Sequence, residues 1–238
     1  MNDILNLIKA RRSVRGPFDP LHPIDPENLK KILEAGRWAP TAHNMQNYEI
    51  LVVDGPEVLE SLGNLTAPIS ETFLRENLAL LSFSEQELRQ RKVGLLASDF
   101  PPDWTDSSKF DEVVRNGYSI PLKYTIAGSP LLLIVTYDPN KRAPDSEGDV
   151  LGLVSLGCLM ANMWLMANSL GISVRIMSDL GDIKVTDEVK RTLGVHDRLR
   201  IVYGLRLGYP KTDPPEGPRV RRELGDFVHR NEYRNRFE

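Results

Sequence analysis

The chain has 238 residues, of which 41% are hydrophobic and 26% charged, and this ordinary globular usage argues against disorder and fibrous repeats. Its 30 basic and 33 acidic residues give a net charge of −3, so nothing in the overall charge attracts nucleic acid or an anionic membrane. A single cysteine excludes an internal disulfide framework and a cysteine-rich metal site. We therefore expect a soluble, cytoplasmic protein with a single domain over residues 1–238.

The N-terminal part of the chain predicts two helices separated by a basic segment. The first helix is expected from Asn2 to about Lys9, where apolar residues recur at helical spacing. The second is expected from Pro26 to Trp38, with Asp25 as its N-cap and a proline in the first turn. The basic run RRSVR lies between them at residues 11–15.

Strand patterns follow at four places. Runs of apolar and β-branched residues predict strands at Tyr48–Val53, Leu131–Tyr137, Ile172–Met177 and Arg200–Leu207. The second run is apolar throughout, which is typical of a central strand covered on both faces. Residues 57–127 are expected to be mostly helical, with breaks at 82–84 and 100–104, and a further helix is expected at Ile183–Leu193. Long helical connections and the absence of hairpin signals predict an α+β or α/β fold with a small sheet between helices.

Residues 150–174 contain no charged side chain and are long enough to span a membrane. Asn162 and Asn168 oppose that interpretation because amides are costly against lipid. Ser146 and Asp149 resemble a capping box at the start of the segment, and Gly171 is typical of the position just after a helix. We predict a central helix that is buried on all sides, at a subunit interface, rather than a membrane span.

Several common site motifs are missing from the sequence. No Gly-x-Gly-x-x-Gly follows a strand, and neither a Walker loop nor a Gly-x-Ser-x-Gly elbow occurs. The four histidines are scattered singly, without the paired spacing of a metal site. The sequence therefore predicts no metal site.

Three segments have the residue types of a binding site. The basic run supplies Arg11, Arg12, Ser13 and Arg15, whose forked donors suit a phosphate group, although a basic surface loop has the same composition. Residues 39–46, APTAHNMQ, combine small residues with amides that suit the edge of a planar heterocycle, or form an ordinary helix-to-strand connection. The basic tail at 218–222 offers a second phosphate contact or a solvated surface.

Taken together, these motifs make the chain resemble the nitroreductase family of FMN-dependent, NAD(P)H-oxidising enzymes. The resemblance rests on RRSVR at 11–15, WAPTAHNMQ at 38–46 and the LGI turn at 170–172 after the long apolar helix. It covers almost the whole chain in order and is weak only over a variable helical insert at about 65–122. It implies an α+β fold of three layers, in which helices flank a small, mostly antiparallel sheet and the long central helix forms a homodimer interface.

The resemblance also implies a role for individual residues. It places Arg11 and Ser13 at the FMN phosphate, Arg12 along the ribityl chain, and Arg15 near the N1/O2 edge of the flavin, where its charge would stabilise the reduced form. Flavin contacts from the partner subunit would come from Pro40, Thr41, Ala42 and Asn44. The turn containing Met177 and Ser178 would pass beside flavin N5, and Arg219 and Arg221 would close on the phosphate. No residue would be catalytic, since the chemistry belongs to the flavin.

The chain departs from the family pattern at two places. Gln46-Asn47-Tyr48 stands where the family often has Gln-Pro-Trp, and Arg175 and Met177 are bulkier than the usual residues of the turn. The insert carries the aromatic residues Phe73, Phe83, Phe100, Trp104 and Phe110, which would either cover the flavin or extend the packing. Lys123 is a candidate for a second cation near the flavin.

The implied activity is electron transfer from NAD(P)H through FMN to a small acceptor, such as a nitroaromatic or a quinone, by a ping-pong mechanism. The alternatives are a flavin- or nucleotide-binding protein without turnover, another reaction on the same scaffold (flavin fragmentation, azole dehydrogenation or dehalogenation), and an interaction protein whose arginines bind acidic partners. A deiodinase would carry Glu-x-x-x-Tyr-x-x-x-Lys in its insert, and this sequence lacks it. Neither a nucleic-acid nor a membrane partner is expected.

Overall fold

The structure is a computed structural model that describes residues 3–81, 84–91, 106–124, 126, 128–144, 148–181, 183–213 and 219–237. Its contacts divide the chain into two compact units, Met1–Pro68 with Ile120–Pro214, and Ile69–Ser119 with Pro215–Glu238. A single domain over residues 1–238 therefore stays a prediction.

The helices are α1 (Asp3–Ala10), α2 (Pro26–Arg37), α3 (Pro56–Gly63), α4 (Glu71–Leu81), α5 (Glu85–Gln90), α6 (Phe110–Asn116), α7 (Val150–Ser169) and α8 (Ile183–Leu193). The strands are β1 (Tyr48–Val53), β2 (Thr66–Ile69), β3 (Tyr118–Pro121), β4 (Leu131–Tyr137), β5 (Ser173–Met177) and β6 (Arg200–Gly208). These bounds agree closely with the expected ones outside residues 57–127.

A four-stranded antiparallel sheet in the order β1-β4-β6-β5 forms the centre of the first unit. Every residue of β4 is buried, as its continuous apolar sequence predicts. Leu131, Leu133 and Val135 face a core made with α2 and α7, whereas Leu132 and Ile134 face a second core made with α3 and α8. The alternation of side chains along a strand thus produces three layers, as expected from the resemblance.

Helix α2 begins where the sequence predicts. The Asp25 carboxylate accepts hydrogen bonds from the backbone N–H groups of Glu27 at 2.9 Å and Asn28 at 3.2 Å. These bonds satisfy two of the donors that the first turn of a helix leaves unpaired. At its other end the helix approaches α7 closely at Gly36, where an added Cβ would lie 2.9 Å from Met163 Cγ.

Helix α7 ends in the turn that Gly171 predicts. Gly171 has φ +71°, its N–H donates to Asn168, and the N–H of Ile172 donates to the Ala167 carbonyl at 2.9 Å. This Schellman arrangement directs the chain into β5. At the other end the predicted capping box is wrong, because Asp149 occupies the N-cap position and its carboxylate accepts from Tyr137 and Arg200 instead. Ser146 lies outside the described residues.

The prediction that α7 is buried on all sides is wrong for the single chain. One side packs on the sheet through residues such as Leu156, Leu159 and Met163, but Val150 and Val154 are 65% and 58% exposed. Among the described residues, one helix, α7, is long enough and apolar enough to cross a membrane. Core helices of soluble proteins share this property. The sheet therefore covers one side of this apolar helix, and the other side leaves apolar side chains exposed.

The region at 57–127 contains more strand than its composition suggests. Thr66–Ile69 and Tyr118–Pro121 pair as a second, two-stranded sheet, where helix was expected. Both strands are only four residues long, so the period-two pattern is too short to distinguish them from helical turns. The interruptions predicted at 82–84 and 100–104 fall largely on residues outside the described part of the chain.

The second unit consists of helices and a folded tail. Helix α4 contacts α6, and α5 begins with a capping box in which Ser84 and Glu87 exchange hydrogen bonds. In the tail, the guanidinium groups of Arg222 and Arg230 each lie 5.1 Å from a ring centre, that of Phe227 and that of Phe237 respectively. The tail is therefore folded on itself rather than extended.

Candidate functional site

The predicted phosphate-binding run lies along an edge of the central sheet. Ser13 forms a parallel bridge with Val174 of β5, and the Val14 N–H donates to the Val174 carbonyl at 3.0 Å. Val14 is buried, Arg11, Arg12 and Ser13 are half-buried, and Arg15 is exposed. The backbone of the run is thus fixed to the sheet, while its polar side chains remain within reach of a ligand.

Arg11 is held by an aromatic ring of α7. Its guanidinium lies 4.6 Å from the ring centre of Trp164, and the indole is 7% exposed. A cation above the face of an indole is stabilised by the electrons of the ring. Trp164 therefore supports one of the residues predicted at the phosphate, a role that its position in an apolar helix did not reveal.

The turn predicted to pass beside the flavin follows β5. Met177 is buried in the core between the sheet and α8, and Ser178 is exposed. Three residues of strand, about 10 Å, separate Met177 from Val174, where the basic run is attached. The structure therefore brings the basic run and this turn to the same strand.

The turn continues into Asp179 and Leu180. Leu180 is fully buried, and an added Cβ on Gly204 of β6 would lie 2.5 Å from its Cδ1 atom. Glycine at position 204 is therefore what allows the turn to pack against the sheet. Burial raises the pKa of the Asp179 carboxyl above its ordinary value, and backbone hydrogen bonds to the carboxylate and the positive charge of Arg175 oppose that rise.

Two further arginines lie behind the basic run. Arg175 of β5 and Arg206 of β6 are directly paired in the sheet. Arg206 is fully buried, its guanidinium lies 4.3 Å from the ring centre of Phe18, and its Nη2 donates to the Gly16 carbonyl at 2.6 Å. Burial, together with the positive charge of Arg175, lowers the pKa of Arg206 to about 9. Arg206 was not among the predicted site residues, although a charge within the apolar run RIVYGLRL is unusual enough to mark it.

The segment that contains the other predicted flavin contacts has an unusual backbone. His43, Asn44 and Gln46 all have positive φ angles, of 50°, 54° and 43°. Left-handed backbone at residues other than glycine is uncommon and is concentrated at ligand sites. Pro40 and Asn44 are exposed, Thr41 and Ala42 are half-buried, and Asn44 Oδ1 accepts a hydrogen bond from Gln46 Nε2 at 3.0 Å.

Helix α7 supports this segment at a distance from the basic run. The Ala42 N–H donates to Ser155 Oγ at 3.1 Å, whereas Arg11 stacks on Trp164. Nine residues of helix, about 13 Å, separate Ser155 from Trp164. Within one chain the two predicted halves of the site are therefore attached to different parts of the same helix.

Most of the remaining predicted residues lie in the second unit or outside the described part of the chain. Arg219 and Arg221 belong to the second unit, as do Phe73 and Phe110 of the insert, so their position relative to the basic run stays a prediction. Lys123 is exposed, and Phe83, Phe100 and Trp104 lie outside the described residues. Within the described part of the chain, no group of three or more His, Cys, Asp or Glu residues could hold a metal ion.

The three-layer fold resembles solved structures of known type. A nitroreductase with bound FMN from Bacteroides fragilis NCTC 9343 has a TM-score of 0.59 and 23% identity, with 96% of this chain and 98% of that one covered. An NADPH:FMN oxidoreductase from Vibrio harveyi, complexed with NAD+, has a TM-score of 0.58 and 21% identity, with 98% and 78% covered. The fold is therefore that of the nitroreductases.

Sequence comparison identifies the family. The family model "Nitroreductase family" matches residues 8–209, so the chain belongs to the nitroreductase family and is an oxidoreductase. An NADPH-dependent oxidoreductase of Staphylococcus haemolyticus is 21% identical over 231 residues, 97% of this chain and 74% of that protein. A Bacillus subtilis protein provisionally described as an NAD(P)H nitroreductase is 36% identical over 121 residues, which span 42% of this chain and 57% of its own length.

Proposed function

We propose that the chain is an FMN-dependent oxidoreductase that moves electrons from NAD(P)H to a small acceptor, such as a nitroaromatic compound or a quinone. The observation that carries this proposal is the attachment of the basic run to β5, about three residues before the turn at 177–178. An anionic group and a flat ring joined by a short chain would fit along this strand, with arginines at one end and the turn at the other.

The residues present suit FMN. Arg11, Arg12 and Ser13 offer partly accessible donors of the kind that bind a phosphate, and the exposed Arg15 would lie by the N1/O2 edge of the ring. Met177 and Ser178 would pass beside N5, and Arg219 and Arg221 would close on the phosphate. Bound FMN would supply the chemistry, a hydride taken from NAD(P)H and electrons given to the acceptor.

We also propose a cytoplasmic homodimer in which the partner supplies Pro40, Thr41, Ala42 and Asn44. Two observations support it. The segment that carries these residues is attached about 13 Å along α7 from the support of Arg11. The exposed apolar side of α7 is the kind of surface that a second copy would bury.

The first test is the visible absorption of the purified protein with and without added FMN. A bound flavin that is bleached by NADH or NADPH without oxygen supports an enzyme, whereas a bound flavin that neither nucleotide bleaches supports a binding protein without turnover. A colourless protein that takes up no FMN would contradict the proposal.

Parallel lines in double-reciprocal plots of initial rate would support the ping-pong mechanism, and intersecting lines would oppose it.

The predicted phosphate contact gives a mutational test. Arg11→Ala removes one charge-assisted contact and should weaken FMN binding by about tenfold or more, measured by fluorescence titration. Arg191→Ala on the exposed surface of α8 is the matched control and should bind FMN like the wild type. If Arg11→Ala retains its flavin through gel filtration as the wild type does, Arg11 does not hold the phosphate.

A further inference from the structure

Arg206 is the most unusual charged residue of the first unit. It is fully buried in an apolar strand and its cation lies over Phe18. Burying a cation lowers the stability of the folded state. At a position that only fills space, an apolar side chain of similar size would be more stable. Its presence therefore requires an interaction that an apolar residue could not make.

That interaction is with the backbone of the basic run. Arg206 Nη2 donates to the Gly16 carbonyl at 2.6 Å and lies 3.4 Å from the Arg15 carbonyl. Arg175, its neighbour in the sheet, donates from Nη1 to the same Arg15 carbonyl at 3.1 Å. Two guanidinium groups from adjacent strands thus hold the two carbonyls at the end of the run.

These contacts determine the direction in which Arg15 leaves the backbone. The peptide before Val14 is fixed by the bond from the Val14 N–H to the Val174 carbonyl at 3.0 Å. The peptide after Arg15 is fixed by Arg175 and Arg206. With both ends of this short stretch fixed, the Cα–Cβ bond of Arg15 has little freedom, and this limits the region that its exposed guanidinium can reach.

We propose that Arg206 is a positioning residue that aims Arg15 at the electron-rich edge of the bound flavin and so raises the reduction potential of the enzyme. This role rests on the proposed function. Arg206 itself is fully buried behind the backbone of the run, so it acts through Arg15 rather than by touching the cofactor. Arg175 also donates to the Arg15 carbonyl, and Arg206 adds the short bond to the Gly16 carbonyl.

The test compares Arg206→Met with the wild type. Methionine is apolar and fills much of the same space, but it leaves the Gly16 carbonyl without this donor. We expect the variant to bind reduced FMN about tenfold less tightly relative to oxidised FMN, which lowers the two-electron midpoint potential by about 30 mV. Arg206→Lys, which keeps the charge and one donor group, should restore most of the potential. Arg206→Leu covers the case in which the methionine variant does not fold, and it should show the same fall because leucine also has no donor.

The control is Arg200→Met. Arg200 lies on the same strand, but it is exposed and bonds to Asp149 at 3.0 Å. The variant loses the same charge and should leave the midpoint potential unchanged. A similar fall in both variants would mean that the potential responds to net charge, and it would overturn the role of Arg206.

A double-mutant cycle separates positioning from a direct effect of charge. If Arg206 acts through Arg15, Arg206→Met should have almost no effect on the potential once Arg15 is replaced by alanine. An equal fall in both backgrounds would show that Arg206 acts on the flavin directly, and the proposal would be wrong. Thermal unfolding of the apoprotein identifies a purely structural role, in which stability falls while the potential of the holoprotein does not change.

Failure of this inference differs from failure of the proposed function. A wild type that takes up no FMN overturns the proposed function, and the role of Arg206 with it. A wild type that binds FMN, together with an Arg206→Met variant of the same potential, overturns only the role of Arg206.

Discussion

Burial shifts the pKa values of two ionisable side chains near β5, Arg206 and Asp179. Arg206 is fully buried, and burial acts on the Asp179 carboxyl a few residues beyond Arg175. A carboxyl whose pKa is raised on folding holds its proton in the folded chain at a pH where the unfolded chain has released it. Its contribution to stability is therefore complete at low pH and is lost as the pH rises toward the folded pKa.

The raised pKa of Asp179 predicts the effect of Asp179→Asn. The amide imitates the protonated acid, so the variant apoprotein should be more stable than the wild type at pH 7, and the difference should shrink below the pKa of an unfolded aspartate, about 4. Urea unfolding at several pH values measures it. Asp187→Asn, an exposed position on α8, is the control. A less stable Asp179→Asn at pH 7 would mean that the backbone hydrogen bonds to the carboxylate and the charge of Arg175 together stabilise it more than burial opposes it.

Local interactions that can be predicted from the sequence determine where helices of the first unit begin and end. The Asp25 side chain begins α2, and the left-handed Gly171 ends α7. Helix α2 then packs on α7 where Gly36 allows close approach, with Met163 and Leu159 occupying the space that a side chain would take. Residues 40–46 follow α2 closely along the chain. The position of α2 therefore determines where the left-handed backbone of this segment lies.

The N-cap of α2 gives a prediction at this scale. Asp25→Ala removes two hydrogen bonds to the first turn and should lower the free energy of unfolding by about 1 kcal/mol, as measured by urea denaturation. Asp25→Ser keeps an acceptor and should lie close to the wild type. Equal losses in the two variants would show that the carboxylate acts by its charge rather than as a cap.

The exposed apolar surface matters at the scale of the whole molecule. Val150, Leu151, Leu153 and Val154 of α7 are between 43% and 65% exposed, and α1, which contacts α7, exposes Ile4 at 72%. An exposed apolar surface of this kind is typical of a protein–protein interface. A second copy that covered it would bury α7 on the sides that one chain leaves open.

The proposed homodimer can therefore be disrupted at α7. Val154→Asp places a charge on the exposed apolar side and should shift the protein from dimer to monomer in sedimentation velocity experiments. Because Pro40–Asn44 would come from the partner, FMN binding should weaken with the loss of the dimer. Thr192→Asp, exposed on α8 in the opposite layer, should leave both unchanged. A Val154→Asp variant that remains dimeric would place the interface elsewhere.

Local patterns in the sequence were sufficient for most elements, the fold class and the family. The strands β1 and β4 and helix α8 have the bounds that the sequence predicts, because the strands are rich in apolar and β-branched residues and turn residues such as Gly55 and Gly194 follow closely after β1 and α8. The nitroreductase resemblance, which rests on two short motifs and a turn, is confirmed by the family match over residues 8–209. Short strands such as Thr66–Ile69 were missed because four residues do not establish a period.

The contacts of the site depend on residues far apart in the chain, and only the folded structure brings these together. Arg206 meets the carbonyl of Gly16, 190 positions away, because the register of β5 against β6 places Arg175 and Arg206 side by side next to the basic run. Trp164 meets Arg11 because α1, which ends just before Arg11, packs against α7. In the sequence a buried arginine and a tryptophan in an apolar helix look like isolated residues, since periodicity reports which face a side chain occupies but not which distant segment lies against it. The packing of α7 and the pairing of the strands decide which distant segments lie against Arg206 and Trp164.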